Sequence, residues 1–272
     1  MSTFVYDLVN SIDDRLQEVR TLIEKAAAER NNNSDLYDPL CRATVLLIVA
    51  HLEGFVKEIA KAIISDINQF SSFRESPVAL KRTFCKTFMI SNQENGREVE
   101  QKVQQLINML NNLETKFIVD PFLVESPYGN NKNPSPGVIN KICANFGVKN
   151  IFSWFNDSSL DIVFSGVASE IDLLLEKLKS HVLNNTQSYP YNLDISFFEI
   201  KEPAAKNGST RSFWETFLDQ LLKSRNDIAH GSLLTNSLSV EELADFLNKV
   251  IVLKYGLVLV LCHLSIPSSK SL

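Results

Sequence analysis

The sequence predicts an all-α protein, a helical bundle, and three observations point there. Nine glycines and nine prolines in 272 residues are too few for the many turns of a β architecture. Apolar residues recur at three- and four-residue steps over long stretches, the spacing of one helix face. The stretch from Leu40 to about Phe70 is apolar on most sides, as a central helix should be.

The elements follow in order. Phe4, Leu8, Ile12, Leu16, Val19 and Ile23 form a stripe over residues 4–30, ended by Asn31-Asn32-Asn33-Ser34. Asp38 then reads as an N-cap with Pro39 in the first turn of the second helix. Residues 71–96 are mixed, with Ser76-Pro77 opening a short helix. A third long helix is expected from Glu98 to Phe117. The proline-, asparagine- and glycine-rich run "DPFLVESPYGNNKNPSPG" that follows is the clearest loop in the chain. Helical patterns resume at 137–147 and 160–183, and "NLDISFFEI" (192–200) has the composition of a short strand. Ser209 or Thr210 caps a helix carrying Phe213, Trp214, Phe217, Leu218, Leu221 and Leu222. Ser239 caps the last helix, with Glu241 and Glu242 at the positive end of its dipole, and that helix reaches His263.

Composition removes several function classes. A formal net charge of −5 and a pI of about 5.5 leave no global basic footprint for coating nucleic acid, although a compact RNA-cutting site needs none. Cys41, Cys85, Cys143 and Cys262 form no Cys-x-x-Cys pair, and no two of the four histidines have ligand spacing, so neither a metal nor a structural zinc is expected. The thiols read as reduced core residues of a cytoplasmic protein. No Walker lysine loop or Gly-x-Gly-x-x-Gly supports a nucleotide cofactor, and none is expected. The N-terminus carries acids where a signal peptide needs a basic start. Val250 to Leu264, broken by Lys254 and His263, is shorter than the ~20 residues of a membrane span, so no membrane partner is expected.

Chemistry concentrates in "SRNDIAHGS", residues 224–232. Arginine offers a permanent forked charge for two phosphate oxygens, and histidine exchanges protons near neutrality. Together Arg225 and His230 suffice to cut RNA without metal. The 2′-hydroxyl attacks the adjacent phosphorus, His230 moves a proton, and Arg225 stabilises the charge growing on the phosphoryl oxygens. DNA lacks that hydroxyl. Five residues apart, the two side chains diverge by about 140° on a regular helix, so a last turn frayed before Gly231 is expected to bring His230 round. The same cluster could instead be an ordinary helix cap. Among the other histidines, His51 reads as packed or interfacial, His181 as solvated and His263 as the polar edge of the last helix. "LKRTFCKTF" (80–88) sets Lys81, Arg82 and Lys86 among Phe84 and Phe88, a mixture that can hold RNA by charge and stacking or form the wet face of an amphipathic helix.

"LLKSRNDIAHG", after an aromatic-rich amphipathic helix and before a capped final helix, resembles the HEPN superfamily of helical-bundle proteins. Arg225 matches its arginine, Asn226 its polar residue and His230 its histidine. "LLIVAHLEGFVKEIAKAI" is similar to the helix that packs against the motif helix. The resemblance implies a core from 1–70 and 205–272 with an inserted, mostly helical elaboration at 71–204. It also implies a metal-independent endoribonuclease acting on RNA as a homodimer, its two motifs meeting between protomers, in a toxin–antitoxin or anti-phage defence setting with a possible antitoxin partner. Asn226 then orients the phosphate or the arginine, with Glu53 and Asp227 as supporting acids. The alternative is a non-catalytic HEPN-like dimerisation or interaction module. In HEPN toxins silenced by tyrosine modification a Tyr lies two residues past the histidine; here that place is Ser232.

Overall fold

The structure, a computed structural model, describes residues 2–32, 34–89, 96–123, 133–203, 211–231 and 238–267. It is all-α: among the described residues there is no strand, and "NLDISFFEI" instead holds a 3-10 turn at Ile195–Phe198. With no neighbouring strand to complete a ladder, the segment closes locally on Asp194, whose carboxylate accepts from Ser196 N–H at 2.9 Å.

The expected first helix is two: α1 (Phe4–Asn10) and α2 (Ile12–Glu29). Ser11 separates them because its hydroxyl turns back to donate to Leu8 O at 2.8 Å, in the manner by which serine bends helices. Helix α3 (Ser34–Phe70) begins a turn earlier than Asp38 suggests and carries Pro39 inside it. As the sixth residue of that helix, proline forfeits the backbone bond to Asp35 O and its ring crowds the same carbonyl, a cost borne close to the helix start. The short helix after Ser76-Pro77 is α4 (Val78–Lys86), and α5 (Gly96–Leu110) stops well before Phe117. Ser135 caps α6 (Pro136–Asn145), accepting from Val138 N–H at 3.3 Å. The expected 160–183 helix is divided into α8 (Ile162–Ser165) and α9 (Ala168–Thr186), preceded by the single turn α7 (Phe152–Phe155).

Two long capped helices finish the chain. α10 (Phe213–Ala229) is capped by Ser212, not Ser209 or Thr210, which lie outside the described residues. Ser212 Oγ accepts from Glu215 N–H at 3.2 Å while Glu215 accepts from Ser212 N–H at 2.9 Å, a capping box. Ser239 and Glu242 cap α11 (Val240–Leu264) in the same way. By length and composition α3 and α11 could cross a membrane, α11 being longer than its most apolar core suggests; 44% and 78% of their apolar windows are buried inside the fold. Every residue from Val250 to Cys262 is buried. Gly256 is where the α7 segment comes closest: a Cβ there would meet Phe155 and Leu160 side-chain carbons at 3.0 Å.

Helix α3 packs on α1, α2, α10 and α11, and the middle of the chain joins the same core. α9 lies against α1 and α11, and α6 against α3 and α10. A run of ring contacts, Phe84–Phe117–Phe122–Phe146, ties α4 through the segment after α5 to the end of α6. All four cysteines are buried and unpaired.

One buried acid pins the N-terminus. Asp66, fully buried, accepts from Phe4 N–H at 2.7 Å, Val5 N–H at 3.1 Å and Tyr191 O–H at 2.7 Å. It satisfies the open amides of α1 and fastens α3 to the segment after α9. Burial raises its pKa, with these hydrogen bonds pulling it back. Asp66→Ala strands three donors, each orphan costing roughly 1–3 kcal/mol, so urea denaturation should show a loss of about 3 kcal/mol or more. A loss under about 1 kcal/mol would mean that water replaces the carboxylate there.

Candidate functional site

The C-terminal turns of α10 carry the Arg-Asn-Asp-x-x-His cluster. Leu218, Leu221 and Leu222 bury one face of the helix, which leaves Arg225, Asn226 and Asp227 half-buried and His230 exposed at its end. Gly231 stops the helix at φ +67, a left-handed conformation that glycine adopts without strain. His230 is the C-cap, one residue past the last helical residue: its N–H still bonds Asn226 O at 2.9 Å, while its φ and ψ of −91 and 1 have left helical values for the bridge region. A regular helix would set Arg225 and His230 about 140° apart.

What the fold does organise is the Arg225–Asn226 pair. Arg225 Nη1 donates to Asn226 Oδ1 at 3.1 Å, and Asn133 Nδ2 donates to the same oxygen at 3.3 Å. Asn133 stands at the end of the asparagine-rich loop and reaches the motif because α6 packs on α10. Sequence reasoning missed it; the only signal was the loop's run of asparagines. The rest of that loop, 124–132, lies outside the described residues, as does Ser232.

The supporting acids divide. Asp227 is half-buried next to Asn226 on α10. Glu53 is half-buried on α3, the helix that packs on α10, and accepts from Lys57 Nζ of its own helix at 2.7 Å.

The basic stretch of α4 does not present three cations. Lys81 is buried, its Nζ donating to Arg74 O at 2.6 Å and Asn111 Oδ1 at 3.2 Å. Burial, then repulsion from Arg74, lowers its pKa. Lys81 is thus a structural tie between the α3–α4 turn and the end of α5. Arg82 pairs with Glu100 of α5 at 2.6 Å, while Lys86 is exposed. Phe84 is in the core and Phe88 faces solvent.

The remaining histidines lie apart from the motif. His51 Nε2 is 2.6 Å from Glu18 Oε1, joining α3 to α2. His263 Nδ1 meets Leu193 O at 3.3 Å. His181, expected in solvent, stacks on Phe197 with ring centres 4.9 Å apart, and its Nε2 is buried without a partner. Burial lowers its pKa. Among the described residues no cluster of His, Cys, Asp and Glu could hold a metal ion.

Set beside known proteins, the chain matches the family model described as HEPN_MAE_28990-like HEPN over residues 4–265, through the middle segment as well as both ends. No curated protein and no solved structure matches it.

Proposed function

The chain belongs to the HEPN_MAE_28990-like HEPN family, and from that premise we propose that it is a metal-independent endoribonuclease with Arg225 and His230 as its catalytic pair. Family membership supports an RNA-related role; the finer assignment rests on one observation. The accessible end of α10 presents His230 and a guanidinium already fixed by Asn226.

The chemistry needs only these groups. The 2′-hydroxyl of RNA attacks the neighbouring phosphorus and the 5′-oxygen of the next nucleotide leaves. His230 exchanges the proton, and Arg225 with the Asn226 amide stabilises the negative charge on the phosphoryl oxygens. The products are a 2′,3′-cyclic phosphate and a 5′-hydroxyl. Side chains five residues apart on a regular helix diverge by about 140°, which supports reading the phosphate as held between an arginine and a histidine from two copies of α10. This favours a homodimer with the cleft between protomers. A cytoplasmic toxin or anti-phage effector, restrained by an antitoxin-like partner, is the setting that fits such an enzyme.

RNA incubated with the purified chain in EDTA tests this: cleavage with 2′,3′-cyclic phosphate ends is expected. Intact RNA, or 5′-phosphate ends, would instead leave a helical dimerisation module or a metal-type hydrolase. Specific activity should also fall on dilution in step with the dimer fraction seen by sedimentation; activity proportional to total chain at every concentration would rule out the shared cleft.

A further inference from the structure

We propose that Asn133 is a positioning residue of this site, holding the Asn226 side-chain amide in the one orientation that fixes Arg225 and turns an N–H towards the phosphate. The proposal rests on the ribonuclease function above and adds a residue from outside the motif.

The donors settle the orientation. Arginine has donors only, so the Asn226 atom facing Arg225 Nη1 is the carbonyl oxygen. Asn133 reaches that same oxygen and must therefore present its own NH2 group. With Oδ1 accepting two N–H groups, the planar amide points Asn226 Nδ2 the other way, where it can donate to a phosphoryl oxygen beside Arg225. Among the described residues, the Arg225–Asn226 hydrogen bond would otherwise have to set both the amide and the guanidinium.

Asn133 is held for this task by its neighbours. Pro134 and Pro136 are buried on either side of Ser135, and each fixes its own φ. Ser135 N–H bonds Asn133 O at 2.7 Å, and Ser135 caps α6, which packs on α10. The donor is thus mounted on a stiff, buried turn, so little side-chain or backbone freedom is lost when it engages Asn226.

The variants Asn133→Ala and Asn133→Asp separate this from a structural role. The aspartate is nearly isosteric but presents acceptors where Asn226 Oδ1 needs a donor. Both variants should keep the wild-type melting temperature, lower kcat for RNA about tenfold and leave KM within about twofold, since the lost contact serves charge developing in the transition state. In an Asn226→Ala background, Asn133→Ala should lower kcat no further. An independent arm needs no cleavage: in nitrogen-resolved NMR the Asn226 NH2 and Arg225 Nε–H signals should shift in Asn133→Ala. Unmoved signals, or equal losses of kcat with and without Asn226, would overturn the positioning role. RNA left intact by the wild type together with shifted signals would overturn the ribonuclease function and leave the Asn133–Asn226–Arg225 linkage standing.

Discussion

Arg225→Ala and His230→Ala should each reduce RNA cleavage in EDTA by about 10²- to 10⁴-fold, the range for removing a general acid–base or a charge-stabilising donor. Neither change should unfold the protein. His230 is exposed, Arg225 is half-buried, and the core face of α10 is made by Trp214, Phe217, Leu218, Leu221 and Leu222. Gly231 still terminates the helix. Arg225→Lys should recover little, since an ammonium cannot reproduce the fork that spans two phosphoryl oxygens. The two losses should not add, because residues that act as one unit fail together. Equal cleavage by wild type and both alanine variants, with melting temperatures unchanged, would remove the pair from the mechanism.

Lys254→Met should stabilise the protein at pH 7 by about 4 kcal/mol, the free-energy equivalent of the lysine's displaced pKa at one unit per 1.36 kcal/mol. Lys254 is 2% exposed at the centre of α11, with its Nζ 5.2 Å from the centre of the Phe55 ring. Burial, reinforced by Arg15, pushes its pKa down to about 7, against a pull from Glu58. Glu58 is itself engaged by Arg15. Methionine keeps a similar volume and removes the charge.

The sign fixes the pH window. Below about pH 7 the ammonium is charged in both folded and unfolded chains, and the burial cost is present in full. From pH 7 to 10.5 the unfolded chain binds more protons than the folded one, so this group's contribution to stability rises with pH. The gap between Lys254→Met and wild type should therefore narrow to about 2 kcal/mol by pH 9. Measuring the gap matters, because burial raises the pKa of Cys85, Cys143 and Cys262 and destabilises both proteins alike as pH rises through the thiol range. Urea denaturation of the pair at pH 7, 8 and 9 reads it; a gap constant with pH would mean that Lys254 keeps its charge across the range.

How much was legible beforehand varies by residue. The helices containing Leu16, Val56 and Leu221 could be read because a 3.6-residue stripe is a local property of the chain. The Ser239 cap could be read because a cap involves only neighbours. The Ser11 break could not, since nothing nearby shows that its hydroxyl will turn back onto Leu8. Lys81 looked like a surface cation because its sequence neighbours are cations, whereas its fate was set by Arg74 O and Asn111, brought in by another helix. Glu53 was read as a support of the motif because its helix packs on α10, whereas the ion pair to Lys57 one turn along its own helix is a local, i to i+4 contact.

By itself, then, the sequence determined the helical class, the central place of α3, and the Arg225-Asn226-His230 triplet at the end of α10. Each depends on periodicity, capping chemistry or residue identity over a short span. The tertiary structure alone decided that Lys81 and Lys254 are interior cations, and that Asn133 reaches Asn226 across 93 positions. Those outcomes depend on helix height, direction and burial, which arise only when distant segments pack.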